Sequence, residues 1–443
     1  MNDQDKKTLK AEELGTKSIP KLLLGYSLTT FAALLLNSIY TLTDAAFVGR
    51  VVGADALGGI TAVLPFTVIQ SGITTALGGG AAILVSKLLG GGTRGKAGGV
   101  VFTAAIAFWA VSLAITAAGL VFLEPLLNTL GVAEELKGYA RQYLYIILIG
   151  NVFSTGFSSI MRAEGRMAYA LIQWVIPISV NIILDALFVF AFGWGVRGAA
   201  WATVCCYAVS FITSMLYFVK FTSINFKGAG FSFRTLGDVV TAGLPSLVQQ
   251  SILAVGMALL NNIFKKVGGE ELQIMNGIIS RIYMFCIVPF TAITQALQPL
   301  AGYNYGANKP ERVRSAMRYT VLFSFLASLV PLALCELIPR QMLGVFTKEQ
   351  SVIETGIPAL RWIALAFPFG FLPSAAGVLF QSVGKKFAAV LLFSASFIFI
   401  PSFALVFSWL FGTGGVWPAF PAAGIFAAFI ASVPLAGFFR KYG

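Results

Sequence analysis

Two carboxylates set in apolar stretches are the residues of this chain best suited to chemistry. Asp185 is the only charged residue in the run 168–192, and Asn181 precedes it by four positions. In a helix the two share a face. Asp44 lies near the end of the first apolar run, and Thr203 about one and a half turns into the run that follows Asp185. At a rise of 1.5 Å per residue, Asp185 falls roughly 27 Å along its span, in the outer half of a bilayer. Asp44 and Thr203 come to a similar depth, so all four side chains can converge on one small cavity. A buried intramembrane charge is costly and marks an ion or substrate path. Two carboxylates, an amide and a hydroxyl suit either of two ions. Na+ takes hard oxygen ligands. A proton is taken by carboxylates that burial and a like charge make more basic, and two close ones titrate as a pair. Taken singly, Asp44 could cap a helix end, Thr203 could be a packing residue and Asp185 a hydrogen-bonded structural acid. Together they point to ion coupling.

The elements that must position these residues are membrane helices. The 443 residues are 57% hydrophobic and only 11% charged, with a mean hydropathy of +0.84. A soluble chain carries roughly 25% charge. Repeated apolar runs near 20 residues imply a polytopic membrane protein. Hydropathy predicts twelve spans, at about 21–45, 56–88, 97–123, 137–161, 167–192, 198–220, 240–265, 272–299, 315–338, 354–381, 386–411 and 419–439. Lys and Arg collect at both termini and in the even-numbered connections, as at Lys6, Lys7, Lys10, Arg94, Lys96, Arg162, Arg166, Lys309, Arg312, Lys385 and Arg440. Acids such as Glu124, Glu134, Glu270 and Glu271 fall in the odd ones. The positive-inside rule therefore puts both termini in the cytoplasm, in a cell inner or plasma membrane. The net charge of +13 has this topological cause, so no nucleic-acid partner is expected. Residues 1–20 form a polar tail with no cleavage site before the first span. The domain expectation is a tail over 1–20, an N-terminal lobe over 21–220, a cytoplasmic linker over 221–239, a C-terminal lobe over 240–439 and a short end at 440–443.

The two halves repeat. FVGRVVGADAL at 47–57 resembles FKKVGGEEL at 264–272, and LLGGGTRGKA at 88–97 resembles NYGANKPERV at 304–313. EGRMAYAL at 164–171 matches VGKKFAAV at 383–390, and FGWGVRGAA at 192–200 matches FGTGGVWPA at 411–419. A near-constant offset of about 216–220 residues across four pairs means parallel six-span repeats, an arrangement common in secondary transporters. The chemistry is confined to one half: Asp185 aligns near Leu405, Asn181 near Pro401, Thr203 near Ala423 and Asp44 near Asn261. There is no His, so an imidazole relay is excluded. The four Cys have no metal or redox spacing. Gly78–Gly80 and Gly90–Gly92 lack the Lys-Ser/Thr of a phosphate loop, so transport is passive or driven by an ion gradient. No cofactor and no enzymatic activity are expected. Arg281 and Arg361 are the notable cations inside the C-terminal spans; either is expected to pair with a carboxylate such as Glu336 or to reach the interface.

The segments DAAFVGRVVGADALGG at 44–59, RAEGRMAYALIQ, NIILDALF, GVRGAAWAT and QALQPLAGYNYGANKPERVR at 295–314 resemble the multidrug and toxic compound extrusion (MATE) transporters, over about residues 15–440. The resemblance implies an all-α membrane protein of twelve helices in two pseudo-symmetric six-helix bundles with a V-shaped cleft. It also implies alternating-access export of lipophilic organic cations in exchange for H+ or Na+, by a protein that works as a monomer among membrane lipids. It assigns the ion-coupling role to Asp44, Asn181, Asp185 and Thr203, which could also hold Na+. The branch that adds acids in helices seven and ten is not matched: helix seven has none within 240–265, and helix ten has only Glu354. A flippase or exporter of a lipid-linked or anionic metabolite is the alternative transporter, and a receptor or scaffold without transport is the alternative outside that class. Few cations fall inside the spans, which weakens the first. The intramembrane carboxylates and the repeats weaken the second.

Overall fold

A computed structural model describes residues 12–441, apart from 133, 155, 347 and 348. Lys6, Lys7 and Lys10 of the tail lie outside them. Among the described residues the chain is helical, with no strand. A short helical stretch at 12–16 opens the described chain, and eight α-helices follow it: α1 (Ile19–Val51), α2 (Ala54–Gly90), α3 (Arg94–Val121), α4 (Leu123–Thr129), α5 (Glu134–Gly150), α6 (Phe157–Ala163), α7 (Met167–Asp185) and α8 (Gly195–Lys220). Eight more come after these: α9 (Phe233–Cys286), α10 (Val288–Gly306), α11 (Pro310–Leu337), α12 (Pro339–Gly344), α13 (Gln350–Ala364), α14 (Phe367–Val383), α15 (Lys386–Phe411) and α16 (Ala419–Lys441).

Among the described residues ten helical stretches are long and apolar enough to cross a membrane, and counting each of two bent pairs as one span gives twelve. One pair is Met275–Cys286 with α10, bent by 47°; the other is α13 with α14, bent by 45°. Pro289 and Pro368 stand in the first turn after each bend. Proline has no N–H to return to the preceding turn and is tolerated at a helix start, so each bend is built where its ring fits. The fourth span is also broken, by a 3-10 turn at Asn151–Phe153 between α5 and α6. Backbone carbonyls freed in a membrane need partners. Here Ser112 Oγ donates to Asn151 O (2.5 Å) and Thr116 Oγ1 to Leu148 O (2.7 Å), while the Asn151 side chain accepts from Gln70.

Two expected boundaries are corrected. The stretch near 266–271, read as a connection, is helical within α9, where Lys and Glu favour helix and no proline interrupts. Because α9 begins at Phe233 rather than 240, the seventh span carries one acid after all, Asp238, which is exposed.

The chain divides into two compact units. Among the described residues, one comprises 12–13 and 32–243; the other comprises 14–31 and 244–441. These ranges differ from the expected lobes at their edges. The first part of α1 packs with the second unit, and the first part of α9 with the first. Hydrogen bonds account for the former. Asn304 Nδ2 and Arg312 donate to Leu14 O (3.0 and 3.1 Å), Lys309 Nζ to Gly15 O (3.0 Å) and Arg312 to Lys17 O (2.6 Å). Close backbone approach accounts for the latter. A methyl group at Gly243 would be driven into the carbonyl of Ala76, and one at Gly80 into that of Val239. Within a membrane such small-residue contacts hold helices by dispersion rather than by the hydrophobic effect.

The first unit is centred on Ile60, Val63, Leu144, Ile147, Val196 and Ala200. The second is centred on Ile279, Phe290, Leu360, Phe367, Phe371 and Trp417. The repeat is visible inside each: a short helix, α4 or α12, follows the third span, and the span after that is interrupted. Arg361 Nε does meet Glu336, at 3.3 Å, in a half-exposed pair worth roughly 0–1 kcal/mol.

Candidate functional site

The fifth span positions the chemistry. α7 runs from Met167 to Asp185, and a π-helical segment, Ala186–Ala191, continues it. Asp185 is thus the residue at which the hydrogen-bonding register changes. Such π segments are rare and are frequent at functional sites. Asn181 (0% exposed) and Asp185 (1% exposed) lie on one buried face, as their spacing predicts. Both polar atoms of the Asn181 side chain are buried without a hydrogen-bond partner. An unmet buried amide costs about 1–3 kcal/mol, which favours an occupant that it can ligate.

Two local features make this geometry possible. Gly193 and Gly195 take positive φ, 65° and 58°, at the turn between the π segment and α8. Residues with a Cβ avoid that region. Gly198 then lets α8 approach the backbone of Phe188; a Cβ there would lie 3.0 Å from its carbonyl carbon and oxygen. The GWGVRG pattern therefore brings α8 against the π segment.

Thr203 is buried on α8 at 6% exposure. Its Oγ1 donates to Ala199 O at 3.0 Å, which commits the hydroxyl proton and leaves the lone pairs to accept a proton or ligate a cation. Cys206, almost one turn further along α8, is close enough to feel the charge of Asp185. Asp44 is in the helical backbone of α1, but its side chain lies outside the described residues. All four expected residues belong to the first compact unit. Asn181, Asp185 and Thr203 offer only oxygens besides the amide NH2, a donor set that fits Na+ or a proton. Among the described residues no group of three His, Cys, Asp or Glu could hold a metal.

Sequence reasoning missed two features. Gln173, two turns before Asn181 on the same face, ties α7 to α8. Its Nε2 donates to Ser210 Oγ (2.6 Å) and Ser214 Oγ (2.7 Å), and its Oε1 accepts from Thr213 Oγ1 (2.8 Å). The i, i+4, i+8, i+12 recurrence of 173, 177, 181 and 185 was the available signal. The second is Glu164, fully buried between the fourth and fifth spans. It accepts from Ser223 N (2.8 Å), Ser223 Oγ (2.9 Å) and Thr222 Oγ1 (2.9 Å). Burial pushes its carboxyl above the usual range, and these hydrogen bonds partly oppose the shift. Residues 222 and 223 are far away in sequence, so nothing local announced the contact.

Two six-helix bundles, one of them holding the buried Asn181, Asp185 and Thr203, define a polytopic membrane protein with buried polar groups inside its spans. A sequence model of the MatE family matches residues 30–187 and 245–406, and the chain belongs to that family, the MATE transporters. It is 25% identical over 408 residues to the multidrug export protein MepA of Staphylococcus aureus, covering 90% of this chain and 89% of that protein. It is 24% identical over 443 residues to the probable multidrug resistance protein YpnP of Bacillus subtilis, covering 98% of each. A solved multidrug resistance MATE transporter in an outward-facing conformation superposes with a TM-score of 0.91 at 23% identity, over 97% of this chain and 98% of that one.

Proposed function

We propose that this protein is an antiporter that exports lipophilic organic cations in exchange for H+ or Na+. In this reading Asp44, Asn181, Asp185 and Thr203 bind the driving ion. The observation that carries it is the buried Asn181–Asp185 face at the start of the π segment, with an amide that has no partner. The kinship with MepA, a multidrug export protein, supports the substrate class. A face that is costly without a cation and favourable with one gives the ion different affinities for the conformations of the first unit. That difference is what lets an ion shift a conformational equilibrium. Both termini are cytoplasmic in this scheme, and the protein works as a monomer in the plasma membrane without a cofactor.

The test is dye efflux from proteoliposomes under imposed Na+ and proton gradients, applied separately. Efflux driven by one of them, and lost in Asp185→Asn, is the expected result. Efflux insensitive to both gradients would refute antiport. A broad panel of cations that leaves growth unchanged on expression in a pump-deficient bacterium would refute the substrate class.

A further inference from the structure

The second unit carries an apolar groove of about 380 Å³ that the transport scheme does not use. Its floor is the beginning of α14, with Phe369 and Leu372. One wall is α11, with Leu322 and Phe325, and the other side is closed by Ala428 of α16. Pro368, in the first turn of α14 just after the 45° bend from α13, also lines the groove. One charged residue lines the groove, Arg318.

Arg318 is eight residues into α11, roughly 12 Å along the helix. α11 has 28 residues, about 42 Å, and so exceeds a hydrocarbon core of about 30 Å. At that depth a guanidinium extends along its own side chain to the level of the lipid headgroups. Arg314, one turn closer to the end, accompanies it. The two Cζ atoms stand 5.9 and 5.8 Å from the centroid of the same ring, that of Phe439. The Arg314 Nε is buried and has no hydrogen-bond partner. Among the described residues neither guanidinium has a carboxylate in ion-pair range. Two positive charges therefore converge on one ring at the end of an apolar trough, with no carboxylate among the described residues in ion-pair range of either.

The chemistry selects the occupant. An organic cation fits the apolar walls, but the arginines repel it. A neutral chain leaves the arginines unexplained. A molecule with an acyl chain and a phosphate satisfies both, because guanidinium forks bind phosphate oxygens by paired, charge-assisted hydrogen bonds. We propose that this groove is a binding site for an anionic phospholipid, its acyl chain lying between α11 and α14 and its phosphate held by Arg318 and Arg314. The proposal is independent of the ion-coupling assignment in the other unit.

Native mass spectrometry of the full-length protein in detergent tests it. Phosphatidylglycerol and phosphatidylcholine with the same chains are supplied at equal concentration. Wild type is expected to retain phosphatidylglycerol about fivefold or more over phosphatidylcholine, and Arg314→Gln/Arg318→Gln to lose that preference. Leu322→Trp keeps both arginines and fills the trough; it is expected to lower phosphatidylglycerol retention about as far. Gel filtration and thermal melting check each variant, and Leu322→Trp decides the matter if the double variant does not fold. Equal retention of the two lipids by wild type, or wild-type retention in Leu322→Trp, overturns the proposal. Displacement of the lipid by millimolar glycerol phosphate overturns it too, by assigning the arginines to a free phosphate.

Discussion

Asn181 and Asp185 show what a single buried amide and acid ask of their surroundings. The amide has no partner and the acid is enclosed, so a cation at this face removes a standing cost. Asp185→Asn keeps the shape and removes the charge. Its gradient-driven efflux should fall at least about tenfold, in line with coupling energies of about 1–3 kcal/mol, while its melting temperature stays near that of wild type. A folded variant with normal ion-driven efflux would end the assignment of this residue, and Asp44→Asn tests the other carboxylate separately. Thr203→Val should weaken the apparent affinity for the driving ion about fivefold if that ion is Na+, since an oxygen ligand is lost. Glu164 allows a different test. Its carboxyl is more basic in the folded protein than in the unfolded chain. The folded state therefore holds the extra proton, and this group's contribution to stability declines as pH rises from the usual carboxylate range to the folded pKa. The difference in melting temperature between wild type and Glu164→Gln should change across that window in this direction. A difference that is flat with pH, or rises with it, would contradict the burial-driven shift.

At the scale of elements, the π segment and the turn after it are built by three glycines acting in two ways. Gly193 and Gly195 supply a backbone conformation, whereas Gly198 supplies room. Gly198→Ala should push α8 off the backbone of Phe188, lowering stability by about 1–3 kcal/mol and disturbing ion coupling as well. Gly195→Ala should cost about 1–2 kcal/mol through its left-handed φ. If Gly198→Ala melts like wild type and couples normally, then the close approach of α8 is not what holds the π segment. The Gln173 cluster works on the same pair of helices from the other end, so α7 and α8 are fixed at two levels.

For the whole molecule, the positive-inside pattern predicts an orientation that can be read by labelling. Cysteines introduced near Arg94 and Lys309 should react only from the cytoplasm, and reaction from outside in intact cells would reverse the topology. The compact units add something that the pattern of charges does not contain. The segment just before α1 is bound within the second unit by Asn304, Lys309 and Arg312, and the start of α9 packs in the first through Gly80 and Gly243. The two compact units are thus not simple consecutive ranges of the chain.

The sequence by itself determined the twelve apolar spans, the repeat and the face shared by Asn181 and Asp185. Each of these depends on composition or on spacing along one helix, and 3.6 residues per turn is a local property. It also offered Glu336 as a partner for Arg281 or Arg361, and the structure selects Arg361. Only the tertiary structure decided where the fourth span breaks, that α7 passes into a π segment at Asp185, that Glu164 is clasped by Thr222 and Ser223, and which unit takes the start of α1. These depend on which carbonyl, hydroxyl or glycine lies opposite after the helices have packed. In a membrane that choice is made by close contact and by the need to satisfy each buried polar group, and neither leaves a periodic trace in the chain.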